Sequence, residues 1–168
     1  ASDVYKRQIV VLSPFFLLVA LSIYLTDRGP VFYKQTRLTE GGKEFQICKF
    51  RTMIQNAEAQ TGARLAAEND DRILPVGHFL RRTRLDELPQ LFNVLKGNMS
   101  LVGPRPERPQ FVEKFREEIP RYMVKHQVRP GMTGWAQING YRGDTSIKRR
   151  IEFDLYYICL LYTSDAAD

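Results

Sequence analysis

The longest apolar stretch of the chain, Ile9 to Leu25 (IVVLSPFFLLVALSIYL), runs 17 residues without a charge. A membrane-spanning helix needs about 20 such residues, and Ser13-Pro14 falls inside the run, where proline breaks or kinks a helix. A buried core helix, a signal peptide, a short span and a segment that enters the membrane and turns back all compete for such a pattern. The apolar part of a signal peptide is usually shorter, and no small-residue cleavage site follows here. Lys6 and Arg7 precede the run and Arg28 follows it, and the positive-inside rule disfavours putting those two ends on opposite faces. The pattern therefore favours re-entrant or interfacial insertion over a full span.

After the turn Asp27-Arg28-Gly29-Pro30, the period changes. Val31 to Gln35 and Phe45 to Phe50 read as two short strands joined around Gly41-Gly42, a hairpin with a longer loop. Its basic residues Lys34, Arg37, Lys43, Lys49 and Arg51 are too many to face a core. Lys49-Phe50-Arg51-Thr52 reads equally as an exposed strand end or as a phosphate contact. Ile54 to Asp71 is polar and Ala-rich, and is expected to form a mobile helix or loop over a site. Leu74-Pro75-Val76-Gly77 leads into a short helix carrying His78 to Arg84. From Thr83 to Gly97, the leucines 85, 88, 91 and 95 with Phe92 predict one short helix, Pro89 in its first turn and Gly97 just past its end. Asn98 to Pro109 holds three prolines and reads as a loop, and Gln110 to Gln127 as an amphipathic helix or helix pair interrupted at Pro120. Arg129 to Gln137 is a glycine-punctuated loop, whose lone Trp135 is either core or a membrane-interface anchor. Ser146 to Ile158 fits a helix lying on a membrane surface. The fold class is α+β, mainly helical, with a re-entrant N-terminal helix broken at Ser13-Pro14, a small β-hairpin, a short catalytic helix and amphipathic surface helices.

Candidate chemistry concentrates at Asp86 and Glu87. At a helix start the dipole favours negative charge, so the pair could simply cap and decorate the first turn. Adjacent helical residues do not share a face, so one carboxylate could equally point into a site while the other turns to a metal. Arg81, Arg82 and Arg84 precede the pair and Val102-Gly103-Pro104-Arg105-Pro106 follows it. Acids able to hold Mg²⁺, beside arginines able to hold phosphate, are the equipment of phosphoryl transfer. Pro104 and Pro106 restrict where Arg105 can point, which suits a bidentate phosphate contact; a plain connecting loop is the other reading. The 168 residues suffice for one domain with a core. A net charge of +6 suggests an anionic partner. Cys48 and Cys159 supply no disulfide framework, and His78 and His126 stand alone, so a His-based metal site has little support.

Six stretches carry a resemblance to a known family: Leu12-Ser13-Pro14, Gly29 to Gln35 (GPVFYKQ), Lys49 to Met53 (KFRTM), Leu85 to Leu91 (LDELPQL), Gly103-Pro104-Arg105-Pro106, and Arg129 to Gln137 (RPGMTGWAQ). In this order, over about Ile9 to Ile158, they resemble the bacterial sugar transferases, the monotopic phosphoglycosyl transferases. The resemblance implies transfer of a sugar-1-phosphate from a UDP-sugar to polyprenyl phosphate, usually undecaprenyl phosphate, with release of UMP. It implies Asp86 as the nucleophile forming a covalent phosphosugar-enzyme, and Asp86 with Glu87 as ligands of a Mg²⁺ cofactor. Lys49, Arg81, Arg105 and Gln137 fall where the family contacts substrate, and Asp154 and Tyr157 match a family position whose role is only loosely defined. Ser13 and Pro14 match the family's break in a helix that enters the cytoplasmic leaflet of the bacterial inner membrane and re-emerges. Asn139 to Thr145, with Asp154 to Tyr157, is most similar to members that transfer glucose-1-phosphate. The resemblance thus names a UDP-sugar, polyprenyl phosphate and membrane lipid as partners, no nucleic acid, and leaves homo-oligomerisation open. The sequence departs from the family in its short apolar arm before Ser13 and in lacking a further Trp- and Leu-rich segment. Residues 9–158 are accordingly read as a catalytic domain truncated at both ends, with 1–8 and 159–168 as non-native flanks. Two alternatives stand beside this reading: a conventional glycosyltransferase releasing UDP, and a non-catalytic basic module binding anionic lipid or nucleic acid.

Overall fold

In the computed structural model, residues 2–57, 70–143 and 145–165 are described. The expected helix or loop over the site, Ile54 to Asp71, is a turn at 55–57, and its residues 58–69 lie outside the described residues. The chain forms two units, residues 1–34 with 48–95, and residues 35–47 with 96–168.

The first unit begins with α1 (Ser2–Thr26). Within it, Lys6–Thr26 is long and apolar enough to cross a membrane. Val19 and Ile23, four residues apart, bury one stripe of α1 against Phe50, Leu74 and Leu80, with Phe15, Phe16, Val31 and Leu85 packed around them. Val10, Val11, Leu17, Leu18 and Leu25 stay bare on the other faces. Where the sequence predicts a break at Ser13-Pro14, α1 continues through both residues. The reason is local. Pro14 has no N–H for the carbonyl of Val10, four residues back, and the Ser13 hydroxyl donates to that carbonyl instead, at 2.7 Å.

The hairpin forms as expected, from β1 (Phe32–Leu38) and β2 (Glu44–Phe50), joined by a 3₁₀ turn at Glu40–Gly42. Its end is not an exposed strand terminus: Phe50, Arg51 and Thr52 are buried. The Arg51 guanidinium is taken up by the carboxylate and the backbone carbonyl of Asp27. Beyond β2 the chain stays extended, with a bridge between Met53 and Ile73, and then enters α2 (Pro75–Thr83), with proline in its first turn as the missing donor allows.

Residues 85–95 are not the single helix expected. A 3₁₀ turn at Leu85–Glu87 precedes α3 (Gln90–Leu95). Pro89 cannot donate to Leu85, whose carbonyl is taken by the Leu88 N–H at 3.2 Å, so the stretch tightens to i→i+3 bonds. Gly97 ends it with φ +78°, the left-handed stop foreseen from the sequence.

In the second unit, β3 (Ser100–Val102) pairs in parallel with β4 (Gly131–Thr133), in register Ser100 to Gly131 and Val102 to Thr133. The two loops expected from the sequence are thus joined by a ladder. Between them lie α4 (Pro109–Glu118) and a 3₁₀ segment, Tyr122–Gln127, separated at Pro120 as predicted. A short α5 (Trp135–Ile138) and α6 (Ile147–Asp165) complete the unit. Trp135 is not core: it is exposed, its ring 6.2 Å from that of Tyr156. The unit packs around Val112, Ile119, Tyr122 and Ile151.

Candidate functional site

Four sequence-predicted residues, Lys49, Arg81, Asp86 and Glu87, lie in the first unit. Arg84, the residue between α2 and the 3₁₀ turn, adopts φ +63°, a left-handed conformation that a non-glycine residue enters at a cost. It ends α2, its N–H donating to the Arg81 carbonyl at 3.3 Å, and reverses the chain into Asp86 and Glu87. The acid pair therefore sits on a sharp bend rather than on a regular helix.

Neither acid is a solvated cap. Asp86 is 8% exposed and Glu87 7%. Glu87 accepts a hydrogen bond from the Lys49 ammonium at 2.7 Å. Asp86 Oδ1 is buried with no hydrogen-bond partner among the described residues. Burial raises the Asp86 carboxyl above its ordinary value of 3.8; Lys49 opposes this, Glu87 adds to it, and Arg81 and Arg84 oppose it more weakly. A desolvated carboxylate with an unengaged oxygen is a better nucleophile than one at the surface.

Arg81 is half-buried, and its Nε donates to the Thr52 hydroxyl at 2.8 Å. Burial lowers its pKa below the ordinary arginine value, and Asp86 and Asp70 pull it back up. Lys49 is placed by β2, whose neighbouring Cys48 N–H donates to the Asn93 side-chain oxygen at 3.0 Å. Asn93 escaped the sequence reading because a lone polar residue on an apolar helix gives no periodic signal, and Thr52 was read only as part of the Lys49 to Thr52 stretch.

Arg105 and Gln137 belong to the second unit. Arg105 lines a small cavity with Leu38, Thr39, Lys125 and His126. Gln137 is buried, and neither its amide nitrogen nor its oxygen has a partner among the described residues. The same unit also holds buried charges, Asp154 among them. Lys125 lies 3.6 Å from Asp154, at 3% and 2% side-chain exposure. Arg150 lies 3.0 Å from Glu107, which Arg37 approaches to 3.9 Å. Asp154 is thus engaged inside the unit, and the Tyr157 hydroxyl donates to the Val102 carbonyl at the end of β3.

Among the described residues no group of three or more His, Cys, Asp or Glu could by itself hold a metal ion. Two adjacent carboxylates, one with an unpartnered buried oxygen, still suit Mg²⁺, which takes one or two carboxylates and completes its shell with water and substrate phosphates.

A buried acid pair among basic side chains, behind a long apolar helix, is the arrangement against which comparison with known proteins is informative. The chain is 52% identical over 148 residues to UDP-N-acetylgalactosamine-undecaprenyl-phosphate N-acetylgalactosaminephosphotransferase of Aeromonas hydrophila, covering 87% of this chain and 35% of that protein. It is 47% identical over 166 residues to UDP-glucose:undecaprenyl-phosphate glucose-1-phosphate transferase of Escherichia coli K12, covering 94% of this chain and 35% of the relative. An exopolysaccharide production protein of Rhizobium leguminosarum bv. phaseoli is 45% identical over 167 residues, which cover 84% of it. The chain spans about a third of the length of the first two relatives. The family model described as bacterial sugar transferase matches residues 4–163, taking in the acid pair, its basic neighbours and the apolar helix alike. The chain belongs to the bacterial sugar transferase family.

Proposed function

We propose that the protein transfers a sugar-1-phosphate, with glucose as the sugar, from a UDP-sugar to undecaprenyl phosphate, as the first membrane step in assembling an exopolysaccharide or other glycan. The observation that carries the reading is the buried Asp86 carboxylate with an unpartnered oxygen, beside a Lys49–Glu87 pair and a fixed Arg81. In the first half-reaction an Asp86 oxygen forms a bond to the β-phosphorus, the bridging P–O bond breaks, and UMP leaves with the electron pair. In the second, an oxygen of the lipid phosphate attacks the same phosphorus and releases the Asp86 carboxylate, giving a lipid diphosphosugar. Asp86 and Glu87 would hold Mg²⁺, which when bound offsets the charge of the diphosphate. Arg81 and Lys49 would bind the phosphates. The bare apolar faces of α1 favour insertion into lipid from the cytoplasmic face of the inner membrane. Relatives named for glucose and for N-acetylgalactosamine transfer both support the reaction class.

The test is intact-protein mass after incubation in nanodiscs with UDP-glucose and Mg²⁺ but without lipid acceptor, with UMP assayed alongside. A gain of one hexose phosphate that Asp86→Asn lacks is the expected result. Wild type that releases UDP, or an Asp86→Asn variant that still forms the adduct, refutes the covalent route. Faster turnover of UDP-N-acetylgalactosamine than of UDP-glucose refutes the choice of sugar.

A further inference from the structure

We infer that Thr52 is a positioning residue of this site, orienting the Arg81 guanidinium through its hydroxyl while its backbone seats the helix that carries Arg81. The inference rests on the phosphosugar transfer proposed above.

Thr52 meets α2 at two levels of one helical face. Its carbonyl accepts the Leu74 N–H at 2.9 Å, just before the helix. Gly77 then lies so close that a Cβ on it would come within 2.3 Å of the Thr52 carbonyl oxygen and 3.1 Å of the Thr52 Cα. Arg81 is one turn further along, on the same face as Gly77, and its Nε donates to Thr52 Oγ1 at 2.8 Å. Thr52 also follows Lys49 by three residues, and the chain between and beyond them is pinned by the Ile54 N–H to Arg72 carbonyl bond at 2.9 Å. One residue thereby sets the lysine of β2 and the arginine of α2 in a common frame.

The hydroxyl has no packing purpose that valine would not serve as well. Thr52 is 7% exposed, and a buried hydroxyl is costly unless it is hydrogen-bonded. Here its partner is the Nε of a guanidinium. A bond at Nε fixes the guanidinium plane and leaves the two terminal nitrogens, the fork that matches a phosphate. Among the described residues none accepts a hydrogen bond from either terminal nitrogen.

UMP release from UDP-glucose, with undecaprenyl phosphate and Mg²⁺ in nanodiscs, is compared for wild type, Thr52→Val, Thr52→Ser, Arg81→Lys, the Thr52→Val/Arg81→Lys double variant and Asp86→Asn, each with its melting temperature. Misplacing a phosphate-binding group by a fraction of an ångström should lower kcat/KM of Thr52→Val about tenfold to a hundredfold, while Thr52→Ser stays within about threefold of wild type because it keeps the acceptor. Lysine has no Nε to orient, so Thr52→Val should cost nothing further in the Arg81→Lys background. With Asp86→Asn inactive, Thr52→Val activity within about twofold of wild type overturns the inference. So does an equal loss in both backgrounds, which is the mark of a threonine that only supports the fold. Asp86→Asn as active as wild type, or a wild type that yields no UMP, overturns the reaction reading itself and this inference with it.

Discussion

Gly77→Ala should destabilise the protein, although the same change in an ordinary helix stabilises it. A helical glycine is worth about 1 kcal/mol less than alanine, so propensity alone predicts a gain. The added Cβ, however, would stand 2.3 Å from the Thr52 carbonyl oxygen and 3.0 Å from its carbon, where ordinary contact begins at 3.4 Å. Both atoms are backbone, so the shortfall of about 1 Å cannot be absorbed by a rotamer and must move α2 away from the extended segment. Overpacking of this kind costs about 1–3 kcal/mol. The shift also stretches the Leu74–Thr52 hydrogen bond of 2.9 Å, worth about 1 kcal/mol. Set against the propensity gain, the net loss is about 1–3 kcal/mol, or roughly 2–12 °C in melting temperature for a domain of this size. Thermal melts in detergent or nanodiscs, wild type beside variant, read it directly. Gly97→Ala is the control, since a Cβ there meets nothing within 4 Å and only its φ of +78° resists the change; its cost should be about 1 kcal/mol. A Gly77→Ala protein that melts at or above the wild-type temperature refutes the close approach, and with it the seating of α2 on Thr52.

The acid limb of the kcat/KM profile should lie above 3.8, because burial raises Asp86 and the reactive form is the carboxylate; Lys49→Met should push the limb further toward neutral pH, and a downward move would contradict this electrostatic picture. Asp154→Asn leaves the Lys125 ammonium buried without its counter-charge. A loss of about 3–5 kcal/mol is expected, read as a fall in melting temperature that adding Lys125→Met largely reverses. Ser13→Ala removes the hydroxyl bonded to the Val10 carbonyl that Pro14 leaves without a donor; it should cost about 1 kcal/mol, and Ser13→Ala/Pro14→Ala, which restores an N–H, should melt close to wild type.

The parts of the fold legible in the sequence are those with a period or an obligatory punctuation. The hairpin strands, the helix entering at Pro75, the interruption at Pro120 and the stop at Gly97 all appear where pattern and turn chemistry put them. What was not legible depends on partners distant in the chain. Arg51 looks like a surface cation until Asp27 is found beside it, 24 residues away. The parallel ladder of β3 and β4 joins two distant three-residue strands, Ser100 facing Gly131, too short for either to show alternation. The break expected at Ser13-Pro14 followed from proline chemistry and from the family resemblance, whereas a serine one residue earlier supplies the missing hydrogen bond. Of the site, the residue types were readable and the geometry was not: a regular helix was expected under Asp86, and the structure has a left-handed arginine and a 3₁₀ turn.

The two buried aspartates show why such geometry must be seen. Asp86 and Asp154 are both almost fully buried, and burial is the largest influence raising the pKa of each. Burying a carboxylate is costly enough that each must be compensated or used. Asp154 is compensated: Lys125 stands 3.6 Å away in an equally dry position, and Arg150 lends further positive charge. Asp86 is not compensated in the same way. The nearest lysine, Lys49, is already bound to Glu87 at 2.7 Å, and Arg81 is held through Nε by Thr52. Asp86 Oδ1 and Asp154 Oδ2 are both buried without a hydrogen-bond partner among the described residues, but only Asp86 sits on a bend that the left-handed Arg84 strains to make. Strain, a buried carboxylate and a departure from regular helix fall within three consecutive residues. Such features persist where they serve function rather than stability, and they support the proposal that Asp86, rather than Asp154, is the carboxylate that reacts.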